Sequence, residues 1–251
     1  MRLKDQKLRK RRKNVTVKTR SKKVRVTTPF FKSMWAVVWK DLKAEGRSFQ
    51  LLSAMWIFSF LVILIFNFAF ELNIRERTNV ASGILWVAFV FAGTLGLNRS
   101  MAVEKDRGCL DGLLLAPVDR SVIYFGKVIG NLFFMFMVEI PVLFLFAVFY
   151  NYFEIFNWGV ILVIVLGSIG YTVVGTFLSS MSAQSRSRDV LLPILLFPVV
   201  LPVVINAVRA SGNFLQAQEF MFVWPSIRML IVFDVIFLAL GYMLFDFIVE
   251  E

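Results

Sequence analysis

Asn98 to Lys127, NRSMAVEKDRGCLDGLLLAPVDRSVIYFGK, is the one long polar interruption between strongly apolar segments. It reads as a docking piece on the inner face of a membrane protein, because what flanks it is too apolar to be hidden by a soluble fold.

The chain has 251 residues, 58% of them hydrophobic, with 28 Phe, 18% charged residues and a mean hydropathy of +0.73. Ordinary globular domains are roughly half apolar. Six stretches are long enough to cross a hydrocarbon core of about 30 Å, which takes roughly 20 residues at about 1.5 Å rise each. They are Leu51 to Phe70, Val80 to Leu97, Val128 to Tyr150, Trp158 to Leu178, Val190 to Val208 and Ile227 to Val249. Lipid offers the backbone no hydrogen-bond partner, so each is expected to be a helix. The expected fold is all-α, a six-helix transmembrane domain over 33–251 behind a basic tail over 1–32.

The tail holds 14 of the 28 Lys and Arg and a single acid, Asp5, so it carries +13 while the remainder carries −2. With no His and one cysteine, Cys109, the chain can form no internal disulfide and no His-ligated metal or haem site. Met1 to Lys32 has no apolar periodicity and reads as disordered in isolation. It is either a tether to anionic inner-leaflet lipid or a solvated cytosolic tail read from an upstream start codon, with Met34 as the first residue. Residues 1–29 lack the interleaved aromatics of a nucleic-acid platform, and no apolar segment follows the basic residues before Leu51, so the tail does not read as a signal peptide.

From Ser33 to Arg47, Trp35, Val38, Trp39 and Leu42 fall at i, i+3, i+4 and i+7, opposite Lys40, Asp41, Lys43 and Glu45. This is expected to be a helix in the membrane interface ending near Gly46, or one that continues into the first span. An N terminus in the cytoplasm puts Lys40, Lys43, Arg47, Arg99, Lys105, Arg107, Arg120, Lys127, Arg186 and Arg188 inside, against Arg75, Arg77, Arg209 and Arg228 outside. That bias, ten to four, predicts an N-in, C-in topology. The outer loops are expected at Glu71 to Asn79, Asn151 to Asn157 and Arg209 to Ser226. The last is rich in Phe, Met and Trp, and reads as a re-entrant lid or a surface-lying helix.

Within the spans, Glu139 lies near mid-bilayer, where acids are costly. It is either a proton relay or ligand for a cation, or an acid hydrogen-bonded to a neighbouring helix with help from the Met137 carbonyl that Pro141 leaves free. Asp234 and Asp246, nearer the ends of the last span, read as interfacial or bundle-facing. Gly167, Gly170 and Gly175 give the fourth span close-packing positions. Pro193, Pro198 and Pro202 interrupt the fifth span, which is expected to be bent or broken, either as a moving element or as a fixed kink.

The opening stretch thus lies in the cytoplasm between the second and third spans. Leu110, Leu113 and Leu114 make an i, i+3, i+4 patch preceded by Glu104, Lys105, Asp106 and Arg107. Pro117 is expected to stop this helix near Ala116 and Asp119 to cap the next. Leucines flanked by charges suit a groove on a soluble partner; the alternative is a loop packed on its own domain.

The run from Glu104 to Pro117, with Gly108 at its centre, followed by Gly126 and Lys127, resembles the ER..GTLE.LLL.P motif of ABC-2-type exporter permeases. More closely, the chain is similar to the CcmB family, the haem-exporter permeases of cytochrome c maturation. Three further blocks carry that likeness: SGILWVAFVFAGTLGLNRS at Ser82 to Ser100, the Gly-rich fourth span, and RDVLLPILLFPVVLPVVI at Arg188 to Ile205. Cys109 and Asp111 stand where the usual pattern has a small hydroxyl residue and Glu.

The resemblance implies a permease half in the inner membrane that pairs with a second permease copy or another cytochrome c maturation membrane subunit. Glu104 to Pro117 would be the coupling helix, seated on a separate ATP-binding subunit. ATP would be bound and hydrolysed there, in keeping with the absence here of a G-x-x-x-x-G-K-[ST] loop. Haem would enter only as cargo, its handover to a periplasmic chaperone driven by the ATPase complex. The chain itself is expected to bind no cofactor, metal or nucleic acid and not to be an enzyme. Alternatives are a general ABC-2 exporter of a lipid, drug or polymer, and a non-transporting membrane scaffold.

Overall fold

The computed structural model describes residues 29–69, 74–106, 108–114, 118–183, 185 and 187–248, with the side chains of 74–79, 110, 111, 114 and 246–248 excepted. The basic tail up to residue 28, Arg107, Pro117, Arg186 and the side chains of Arg75, Arg77 and Asp246 therefore lie outside the described residues. Among the described residues the chain is helical: α1 (Phe30–Ser48), α2 (Gln50–Ala69), α3 (Ile74–Asp106), α4 (Cys109–Leu114), α5 (Arg120–Tyr150), a 3-10 turn (Phe153–Phe156), α6 (Trp158–Ser182), α7 (Arg188–Leu215) and α8 (Phe220–Ile248). Six of these are long and apolar enough to cross a membrane, namely α2, α3 from Val80, α5, α6, α7 and α8.

Burial ranks the helices. In the spanning parts of α3 and α6, 72% and 67% of residues are buried, against 28% in each of α2, α7 and α8. The first pair forms the interior, and the other three present apolar flanks outward. Small residues let α6 take that place: a Cβ on Gly167 would lie 2.2 Å from Cη2 of Trp86. Buried polar links then fix the register of α6. The Thr94 and Tyr171 hydroxyls meet at 2.8 Å, and Asn131 donates to Thr176 at 2.9 Å. Trp86 also donates to Ser211 on α7 at 3.1 Å.

Several boundaries differ from expectation. The second span does not end at Leu97; α3 continues through the charged residues to Asp106. Its two acids find partners there, Glu104 on Lys127 and Lys40 and Asp106 on Arg188, while Lys105 is exposed. The expected outer loop from Arg209 to Ser226 is largely helix. α7 runs on to Leu215, α8 starts at Phe220, and a short turn with Ala217 at φ 53° joins them. Its apolar residues are accounted for by the bundle and the membrane: Phe214 packs into the core, while Phe220, Met221, Phe222 and Trp224 face outward from the first turns of α8. Neither a re-entrant lid nor a surface-lying helix is present there. α7 is also unbroken through Pro193, Pro198 and Pro202.

Candidate functional site

The site is built where α3 leaves the bundle. α3 ends at Asp106, Gly108 turns the chain with φ +63°, and α4 follows at once over Cys109–Leu114. A left-handed residue after a helix is a natural place for glycine, since a side chain there costs about 1–2 kcal/mol. Cys109 is exposed and a Cβ on Gly112 would meet nothing within 4 Å. Leu113 is half-buried against the small cluster of Ile123, Tyr124, Val128, Val173 and Phe245. That leucine thus packs on its own domain. Leu110 and Leu114 keep their places in α4, with side chains outside the described set. Asp119 occupies the position before α5 but its side chain makes no capping hydrogen bond.

Glu104 and Asp106, which precede the leucines in sequence, are on the last turns of α3 rather than on α4. Glu104 is 7% exposed and faces Lys127 of α5, whose side chain is 1% exposed. Lys127 Nζ lies 2.6 Å from Glu104 Oε2 and 2.7 Å from Asp41 Oδ2 of α1. Lys40 closes the square, 3.1 Å from Asp41 Oδ1 and also paired with Glu104 Oε1. Burial opposes the charge on Lys40, yet the Asp41 and Glu104 carboxylates outweigh it and hold the pKa of Lys40 above the usual lysine value. Two acids and two bases satisfy one another, so a charged cluster is tolerated where a lone charge is not.

Two further pairs tie the end of α3 to α7. Arg188 grips Asp106 with both guanidinium nitrogens at 3.0 Å, a bidentate geometry that fixes orientation as well as distance. Asn98 donates to Asp189 at 3.0 Å, and Arg99 donates to Gln50 of α2 at 2.8 Å. The end of α3 is thereby linked to α1, α2, α5 and α7. Beside the cluster lies a cavity of about 150 Å³, lined among others by Lys40, Glu45, Arg99, Glu104, Cys109 and Lys127.

The same cluster reorients α1. The stripe Trp35, Val38, Trp39, Leu42 predicts one apolar face, but Trp35 and Trp39 are exposed while Val37, Val38, Asp41 and Glu45 turn inward. The carboxylates decide this rotation because their partners are inside. Lys127 takes Asp41, and Glu45 Oε1 accepts from the Leu51 and Leu52 amides at 2.8 and 3.0 Å. Glu45 thus satisfies two of the orphan donors that open α2. α1 does not continue into the first span; Phe49, at φ 49°, separates them.

Deeper in the bundle Glu139 is buried and Ser168 of α6 donates to its Oε1. The Met137 carbonyl expected to help it is instead occupied by the Trp56 indole at 3.1 Å. Asp234 is buried against Gly170 of α6. Among the described residues no group of three His, Cys, Asp or Glu is placed to hold a metal ion.

Sequence reasoning missed Lys127 as the hub, Asp41 as its partner and Glu45 as the inward acid that caps α2. The available signal was two acids at i, i+4 on an otherwise basic helix, with a lysine at the mouth of an apolar span.

A family model described as CcmB protein matches residues 32–247. Relatives are called Heme exporter protein B. That of Rhodobacter capsulatus is 25% identical over 172 residues, covering 68% of this chain and 79% of its own length. That of Haemophilus influenzae is 25% identical over 167 residues, 65% and 74% of the two chains. The Escherichia coli K12 protein is 26% identical over 98 residues, 39% and 44%.

Proposed function

The chain belongs to the CcmB protein family, and from that membership we propose that it is the permease subunit of an ABC-type system for haem export in cytochrome c maturation. It is a multi-pass membrane protein with six apolar helices, and the reading places it in the inner membrane with both termini in the cytoplasm. ATP is then hydrolysed on a separate subunit, and haem is cargo. The name carried by the relatives favours this over a general exporter of lipid, drug or polymer.

The observation that carries the mechanism is the wiring of α3. α4 hangs from Gly108 at the end of a helix whose last turns hold Glu104 on Lys127 and Asp106 on Arg188. In this reading an ATPase subunit moves α4, and the end of α3 carries that movement to α5 and α7 through the two ion pairs. Coupling of this kind needs discrete partners that shift together, because a packed interior does not deform continuously. A second permease copy or another cytochrome c maturation membrane subunit completes the pathway.

The test uses L110D and L114D, since Leu113 also packs on its own domain. Each variant is expected to reach the membrane at normal level, lose co-purification with the ATPase subunit and lose holo-cytochromes c. Intact assembly and intact maturation would overturn the coupling role. Loss of ATPase association with maturation unchanged would favour some other route for cargo.

A further inference from the structure

The strongest unexplained feature lies away from the coupling site, at the centre of α8. Asp234 is 14 residues from each end of Phe220–Ile248. At about 1.5 Å per residue that is roughly 21 Å from either end, the middle of a bilayer-spanning helix. The sequence places it nearer an end only because the first turns of α8 look like loop. It is 6% exposed, and its buried Oδ1 has no hydrogen-bond partner among the described residues.

Its seat is shaped for it. A Cβ at Gly170 would come within 2.3 Å of Asp234 Oδ1 and within 3.4 Å of Val203 of α7. Any other residue at 170 would displace the carboxyl, so glycine here admits an acid into the interior. On the far side of α6, two residues earlier, Ser168 serves Glu139. The two acids therefore flank one helix, and among the described residues Glu139 Oε1 has a donor while Asp234 Oδ1 has none.

Among the described residues no ion pair is made by Asp234. α6 carries Tyr171 as its one titratable side chain, and that hydroxyl is engaged with Thr94 and the Val90 carbonyl. α7 has Arg188, Asp189 and Arg209, the first two bonded elsewhere at one end and Arg209 exposed towards the other. α5 contributes Arg120, Tyr124 and Lys127 in its first turns, Lys127 paired with Glu104 and Asp41, and Glu139 and Tyr150 farther along. On α8 itself Arg228 is exposed six residues away. An unpaired carboxylate in such surroundings is far costlier than the neutral acid.

We propose that Asp234, seated on Gly170, is a proton-binding site at the middle of the membrane, occupied in this conformation. The proton bound is the one the carboxylate takes from water, and it returns to water on release, so no other reactant is required. This goes beyond the haem-export reading and does not depend on it.

The experiment treats the assembled complex in lipid nanodiscs with dicyclohexylcarbodiimide, which reacts with protonated carboxyls in apolar surroundings, and locates adducts by peptide mass spectrometry from pH 5 to pH 9. Labelling of Asp234 that persists at neutral pH, disappears in D234N and survives in E139Q is expected. G170A, which crowds the carboxyl out of its seat, is expected to move the labelling profile towards lower pH even where the protein still folds. Labelling confined to the ordinary acidic range of a carboxyl, or none at any pH with Glu139 labelled as a positive control, would overturn the proposal. Haem-export failure would leave these labels unchanged, which separates the two ideas.

Discussion

Lys127 shows how much one side chain can organise. Its ammonium group satisfies Asp41 and Glu104 at once, and both acids become liabilities without it. Removing one member of a buried ion network strands the others, typically at about 3–5 kcal/mol. K127M is therefore expected to lower the thermal midpoint of the purified protein markedly. K127M combined with E104Q, which leaves the Lys40–Asp41 pair as one base and one acid, is expected to recover part of the loss. A second residue-scale prediction concerns Gly167. G167A would press a methyl group against Trp86, and overpacking of a tight interior costs about 1–3 kcal/mol. Thermal unfolding in detergent checks both. Neither contact is written in local sequence: Lys127 reads as an interfacial positive charge, and its partners lie 23 and 86 residues away.

At the scale of elements, the junction of α3 and α4 matters most. Gly108 holds φ +63° with open space around it, so a side chain there meets no neighbour but strains the backbone by about 1–2 kcal/mol. G108V is expected to leave the unfolding of the bundle nearly unchanged while reducing holo-cytochrome c formation, because it re-aims α4 alone. G112A, at a helical position with equal space, is the matched control and is expected to behave as wild type. The leucine spacing and the likeness of Glu104 to Pro117 to a known motif made α4 legible beforehand. The continuation of α3 to Asp106 was not, since charged residues at the end of a span look like loop until their partners are seen. The prolines of α7 remove backbone donors without breaking it: the helix carries through all three.

For the whole molecule, the bias of Lys and Arg predicts that α4 and both termini face the cytoplasm. Cys109 is the single cysteine and is exposed on α4, so it reports orientation without engineering. A membrane-impermeant maleimide is expected to label it in inverted vesicles and not in intact cells; the reverse pattern would invert the topology. The sequence by itself determined six membrane helices, because hydropathy sums over about 20 consecutive residues and lipid leaves a backbone no other way to satisfy its hydrogen bonds. It also determined the family likeness, carried by contiguous blocks. Only the tertiary structure decided which charges meet: Lys127 with Glu104 and Asp41, Asp106 with Arg188, Glu139 with Ser168, Asp234 with Gly170. Those pairings depend on how each helix is rotated and which helix stands beside it, and rotation is set by packing between segments far apart in the chain.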